Sequence, residues 1–223
     1  MRIEQYPDRD MLMFAVANAI ASDLRLALQQ NARASLAVPG GTTPGPVFDI
    51  LAGLPLDWGR VTVMPSDERW VCEDSERSNA RLIRKRLMRG HAVEATFVPL
   101  YADAPTPEQA MDRVAAAVSP HLPLSVALLG MGSDLHTASL FPGGDRLTDA
   151  LAADAPAVLP MRAGGAEEPR VTLSARVLHD AMAIHVLFTG TDKRRALDLI
   201  EGRSPEEAPV KAVLANATVH WAE

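Results

Sequence analysis

Leu124–Leu129 is a nearly continuous apolar run that stops at Gly130-Met131-Gly132. A short run of this kind reads as a strand buried on both faces, and such strands belong to sheets covered by helices on both sides. The rest of the chain repeats the arrangement. Asp10–Gln30 carries Met11, Phe14, Ala15, Ile20, Leu24 and Leu28 at helical spacing, and Ala34–Pro39 is a strand ending at Gly40-Gly41 before a helix over Pro44–Leu51. Strands are expected at Arg60–Met64, Ala95–Leu100, Arg170–Leu173 and Ala183–Thr189, and helices at Ser78–Met88, Thr106–Val118 and Asp192–Ile200. Ala152–Glu168, with two prolines and a glycine pair, reads as a loop. Strand and helix alternate along the chain, so the predicted class is α/β: a mostly parallel sheet with helices on both faces.

Composition narrows the function. The 223 residues carry 22 Lys+Arg against 28 Asp+Glu, a net charge of −6, which leaves no broad basic face for nucleic acid. Aromatic residues are only 4%, so Ala, Val, Leu and Ile must build the core. No run approaches the ~18 uninterrupted apolar residues of a membrane span, and MRIEQYPDRD lacks the apolar centre of a signal peptide. The expectation is one cytoplasmic domain over residues 1–223, a monomer or small homo-oligomer, with neither nucleic acid nor membrane as partner. Cys72 is the single cysteine and, beside Trp70 and Val71, reads as a packing residue. The histidines at 91, 121, 136, 179, 185 and 220 form no H-E-x-x-H pattern, and there is no G-x-x-x-x-G-K-[ST] loop. The sequence predicts no metal and no cofactor.

In open α/β sheets, ligands gather at the carboxyl ends of strands. Four loops occupy such positions: Gly40–Thr43, Ser66–Trp70, Gly130–His136 and Thr189–Lys193. In Pro39-Gly40-Gly41-Thr42-Thr43-Pro44, two glycines let backbone N–H groups approach an anion, and the threonines add hydroxyls. Thr43 is expected to cap the next helix with Pro44 at its first position; a tight, well-capped βα turn would use the same residues. Arg69 in Ser66-Asp67-Glu68-Arg69-Trp70 can clamp a phosphate with the acids holding its side chain, or simply form a surface ion pair. Ser78-Asn79 can cap the following helix. His136 suits proton abstraction from water, and Asp134, two residues earlier, can fix its tautomer. Glycine N–H groups in this loop can hold a developing oxyanion. Ser139 lacks the G-x-S-x-G surroundings of a nucleophile. Arg170 opens a strand, and Lys193 stands at a helix N-terminus, where it opposes the macrodipole; an anionic ligand or plain reach into solvent accounts for it equally.

Taken in order, PGGTTPGPVFDIL at 39–51, DERWV at 67–71, SNARLIRKRL at 78–87, LLGMGSDLHTASLFPG at 128–143, RVTLS at 170–174 and TGTDKRRAL at 189–197 resemble the 6-phosphogluconolactonase family. HTASLFPG is the specific part. The resemblance implies a glucosamine-6-phosphate deaminase-like (modified Rossmann-like) fold and metal-free hydrolysis of a sugar-phosphate lactone, 6-phospho-D-glucono-1,5-lactone, to 6-phospho-D-gluconate. It further implies His136 as the base that activates water, Asp134 assisting, and Gly40, Gly41, Thr42, Thr43, Arg69, Arg170 and Lys193 around phosphate and substrate. Two departures stand out. Asp134-Leu135-His136 replaces the family's usual Asp-Gly-His, and Pro39 and Thr42 alter its usual Ser-Gly-Gly-Ser-Thr-Pro loop. An amino-sugar phosphate deaminase or isomerase of the same fold typically reads Asp-Glu-Tyr where this chain has Asp67-Glu68-Arg69, and a non-catalytic sugar-phosphate sensor usually carries a DNA-binding extension.

Overall fold

The computed structural model describes residues 1–164 and 167–223. In chain order the elements are β1 (Arg2–Gln5), α1 (Arg9–Gln30), β2 (Ala34–Val38), α2 (Gly45–Gly53), β3 (Val61–Pro65), β4 (Asp67–Arg69), α3 (Asn79–Arg86), β5 (Thr96–Phe97), α4 (Met111–Val118), β6 (Val126–Gly130), α5 (Leu147–Leu151), β7 (Val158–Met161), β8 (Arg170–Leu173), α6 (Ala175–His179), β9 (Ala183–Thr189), α7 (Thr191–Asp198), α8 (Lys211–Leu214) and β10 (Ala217–Ala222). One sheet runs β1-β10-β9-β6-β2-β3-β5, parallel throughout; a second, antiparallel sheet runs β4-β8-β7.

Side-chain alternation along the parallel strands feeds two cores. Leu36, Val38, Val126 and Leu128 pack with α1, α2 and α3, whereas Ala37, Ala127 and Leu129 face the opposite core with α4, α6, α8 and the small sheet. By length and composition α1 is apolar enough to cross a bilayer, yet Leu12, Val16, Ile20 and Leu24 are all fully buried in the first core. Burial of each such side chain is worth about 1.5–3 kcal/mol. Asp8 caps the helix, accepting from the Met11 N–H at 2.8 Å.

Several expectations need correcting. Arg170–Leu173 is a strand, but it lies in the antiparallel sheet between β4 and β7. The stretch read as a loop over Ala152–Glu168 contains β7, because Val158–Met161 is buried and pairs with β8; Gly165 and Ala166 of that stretch lie outside the described residues. Of Ala95–Leu100 only Thr96–Phe97 pairs with β3, and Thr106–Val118 begins as a 3-10 turn over Pro107–Ala110 before α4. Asp67–Arg69 is a strand rather than a loop. β1 and β10 add two parallel strands that apolar runs alone do not mark. Cys72 is exposed and packs into neither core.

Candidate active site

β9, β6, β2 and β3 are consecutive neighbours in the sheet. From β2 the chain steps outward to β3, and from β6 it steps the other way to β9, so the β2/β6 boundary is a topological switch point. The loops after these strands therefore meet. They form a cleft of about 430 Å³ lined by Gly40, Gly41, Thr42, Thr43, Arg69, His136, Arg170 and Lys193, with Asp67, Asn79, Gly132 and Phe141 completing the wall.

After β2 the chain turns through Gly41 at φ 83°, a left-handed conformation that favours glycine. Gly40 is required for another reason: a Cβ there would overlap the Asn79 side-chain amide. Thr43 makes no cap. Pro44 occupies the N-cap position without a side-chain hydrogen bond, and α2 begins at Gly45.

After β6 the loop closes on itself. The Gly132 N–H donates to the His136 carbonyl at 3.0 Å, and the Leu135 N–H donates to the Gly132 carbonyl at 3.1 Å. That turn forces Leu135 to φ 67°. Its side chain is buried and its carbonyl accepts from the Val210 N–H at 3.0 Å, so neighbouring contacts hold leucine in a conformation glycine adopts more easily. The turn brings Asp134 Oδ1 to 2.5 Å from His136 Nδ1. An ionised carboxylate can only accept, so Nδ1 carries the proton and Nε2 keeps its lone pair. Gly132 leaves no room for a Cβ beneath this pair, and the imidazole packs on the Phe141 ring at 4.7 Å between centroids. Asp134 holds the imidazole from outside the cleft wall, and the Gly132 N–H is already engaged with the His136 carbonyl.

The small sheet supplies cations. Arg69 on β4 and Arg170 on β8 are register partners. Arg170 is largely buried; burial pulls its guanidinium below the ordinary range, opposed by Asp67, whose Oδ2 lies 3.8 Å from Nη1. Among the described residues, the Nε atoms of Arg69 and Arg170 are buried without a partner. The acids do not hold Arg69's side chain as expected: its Nη1 donates to the Arg77 carbonyl at 2.5 Å. Glu68 is instead fully buried at the start of α3, accepting from the Arg69, Asn79 and Ala80 N–H groups at 2.8, 2.8 and 2.7 Å. Burial pushes its carboxyl up, and those N–H groups pull it back. Ser78 caps α3 as its position suggests, whereas Asn79 turns inward and donates to the Asp67 carbonyl at 2.7 Å. Lys193, in the first turn of α7, closes the wall opposite, with no carboxylate partner among the described residues.

From sequence, Asp67 has a part only in holding Arg69, Asn79 only in capping α3, and Phe141 none; nothing local says that the three face the cleft.

A helix-covered parallel sheet with a carboxylate-oriented imidazole and convergent cations at its switch point has the construction of an α/β enzyme for small anionic substrates. The family model described as glucosamine-6-phosphate isomerases/6-phosphogluconolactonase matches residues 7–221. The 6-phosphogluconolactonase of Rhizobium meliloti (strain 1021) is 44% identical over 220 residues, covering 93% of this chain and 94% of its own length. That of Mesorhizobium japonicum is 42% identical over 223 residues, covering 97% and 93%. The crystal structure of a 6-phosphogluconolactonase from Shewanella baltica superposes with a TM-score of 0.96 at 31% identity, covering 100% of this chain and 98% of that one. The chain belongs to the glucosamine-6-phosphate isomerase/6-phosphogluconolactonase family.

Proposed function

We infer that this chain is a lactone hydrolase that converts 6-phospho-D-glucono-1,5-lactone to 6-phospho-D-gluconate. The observation that carries the reading is one cleft holding both His136, its Nδ1 committed to Asp134, and the cations Arg69, Arg170 and Lys193. The relatives' activity points to the same substrate.

His136 Nε2 takes a proton from water, and the water oxygen adds to the lactone carbonyl carbon. The tetrahedral oxyanion collapses, the bond from that carbon to the ring oxygen breaks, and the imidazolium returns its proton so that the ring oxygen leaves as the C5 hydroxyl. The acid product then loses a proton to solvent. A lactone is reactive enough that a general base worth about 10²–10⁴-fold suffices without a covalent nucleophile. The 6-phosphate lies against Arg69, Arg170 and Lys193, with Gly40–Thr43 contributing hydroxyls and N–H groups. An anion there gives the two buried, unpartnered guanidinium Nε atoms a countercharge.

The test compares kcat/KM for phosphorylated and plain glucono-lactone after subtracting spontaneous hydrolysis. The wild type should strongly prefer the phosphorylated lactone, and Lys193→Ala should narrow that preference by about ten- to a hundred-fold, the worth of a charged hydrogen bond at ~1.5–3 kcal/mol. His136→Ala should lose most activity on both lactones while staying folded. Equal efficiency on the two lactones in the wild type would overturn the assignment.

A further inference from the structure

The base and the arginines of the cleft stand on different sheets: His136 on the loop after β6 of the parallel sheet, Arg69 and Arg170 on β4 and β8 of the antiparallel one. Catalysis on a tethered substrate needs them at a fixed separation, because a misplacement of ~1 Å can cost about 10²-fold. The two sheets are continuous through Ser66, between β3 and β4; the loop that carries His136 is tied to the antiparallel sheet separately, at Ser139. Three residues beyond His136, it is fully buried. Its hydroxyl donates to Asp67 Oδ2 at 2.5 Å, and its N–H donates to Thr172 Oγ1 at 3.3 Å. Asp67 and Thr172 are themselves register partners across β4 and β8, and two residues along each strand stand Arg69 and Arg170, also paired. One serine thus binds the base's loop to the same two strands that carry both arginines, roughly 7 Å from them at the usual rise per residue. The Asp67 oxygen that accepts the serine hydroxyl is also the one 3.8 Å from Arg170 Nη1.

We propose that Ser139, through Asp67 and Thr172, is a positioning residue that sets the distance between His136 and the Arg69–Arg170 pair, so that a substrate held by its phosphate presents its carbonyl to the base. The proposal rests on the lactonase reading above. Its signature differs from that of a residue that merely keeps the loop folded. A substrate anchored through phosphate depends on the spacing; plain glucono-lactone, which has no phosphate to anchor, reaches His136 by itself.

The experiment measures kcat and KM on both lactones, the pH profile, and competitive inhibition by inorganic phosphate, for wild type, Ser139→Ala and Thr172→Val. Ser139→Ala should lower kcat on the phosphorylated lactone by ten-fold or more. Its kcat on plain lactone and its inhibition by phosphate should stay within about two-fold, and its pH profile should not move, since the Asp134–His136 pair is untouched. Thr172→Val, which removes the second fastening, should shift the same ratio in the same direction by less, and carries the test alone if Ser139→Ala does not fold. A fall of equal size on both lactones, or no fall, overturns the positioning role while leaving the lactonase reading intact. A wild type without preference for the phosphorylated lactone overturns both.

Discussion

Leu135 shows two opposed effects at one residue. A left-handed conformation costs an L-residue about 1–2 kcal/mol, which glycine would recover. Deleting a buried leucine side chain costs about 2–5 kcal/mol, and Leu135 is only 2% exposed. Burial wins, so Leu135→Gly should destabilise the protein by about 1–3 kcal/mol in urea unfolding, with activity per folded molecule retained. Gly132→Ala should do the reverse: its Cβ meets His136 and Asp134 rather than the core, so kcat should fall at least ten-fold with little change in melting temperature. At this scale much was legible. Asp134, His136, Arg69, Arg170 and Lys193 all matched motif positions, and leucine in place of glycine marked the turn as unusual. What a residue type cannot state is which way a side chain turns: Glu68 is buried under a helix start, and Asn79 faces the cleft.

Among the elements, β10, β9 and α1 share a buried polar chain. The Tyr6 hydroxyl contacts His220 Nδ1 at 2.9 Å, His220 Nε2 contacts His185 Nδ1 at 2.9 Å, and His185 Nε2 contacts Asp23 Oδ2 at 2.8 Å. With both histidines neutral every donor finds an acceptor, and the series ends on the carboxylate. Burial, helped by His185 and then Arg2 and opposed by Asp23, pushes His220 down to about 4. The unfolded chain, with histidine near 6.5, takes up this proton first as pH falls. The stability contribution is therefore whole above about pH 6.5 and lost progressively toward pH 4, on the order of 3 kcal/mol in all. Chemical denaturation between pH 4 and 7 should show that slope, and His220→Gln should flatten it; an unchanged slope would place the acid sensitivity elsewhere. The same strands mark where sequence pattern stops. β2, β3, β6 and β9 are apolar enough to announce themselves, whereas β10, Ala-Thr-Val-His-Trp-Ala, is buried by its neighbours on both sides rather than marked by composition. β4 is Asp-Glu-Arg, and its strand conformation comes from pairing with β8 about a hundred residues later, a contact with no local signature.

For the molecule as a whole, a net charge of −6 coexists with a cleft lined by three cations, Arg69, Arg170 and Lys193, against one carboxylate, Asp67. Inorganic phosphate should therefore raise the melting temperature of the wild type, by the equivalent of about 2.7 kcal/mol at a hundred times its Kd, and Arg170→Ala should blunt the shift. No shift in the wild type would argue against an anion site. The convergence behind it was predictable only as a rule about strand ends; the strand order β9-β6-β2-β3 is what makes four loops neighbours. That same order carries a cost in time. β1 has one partner in the sheet, β10, and the register sets Gln5 against Trp221. β1 is synthesised some two hundred residues before β10, so it waits without its strand partner in between. Its hydrogen bonds close a loop almost as long as the chain, the kind of distant contact that slows folding. The chain thus carries an open seam until β10 enters between β1 and β9, and closing that seam is the last step its topology allows.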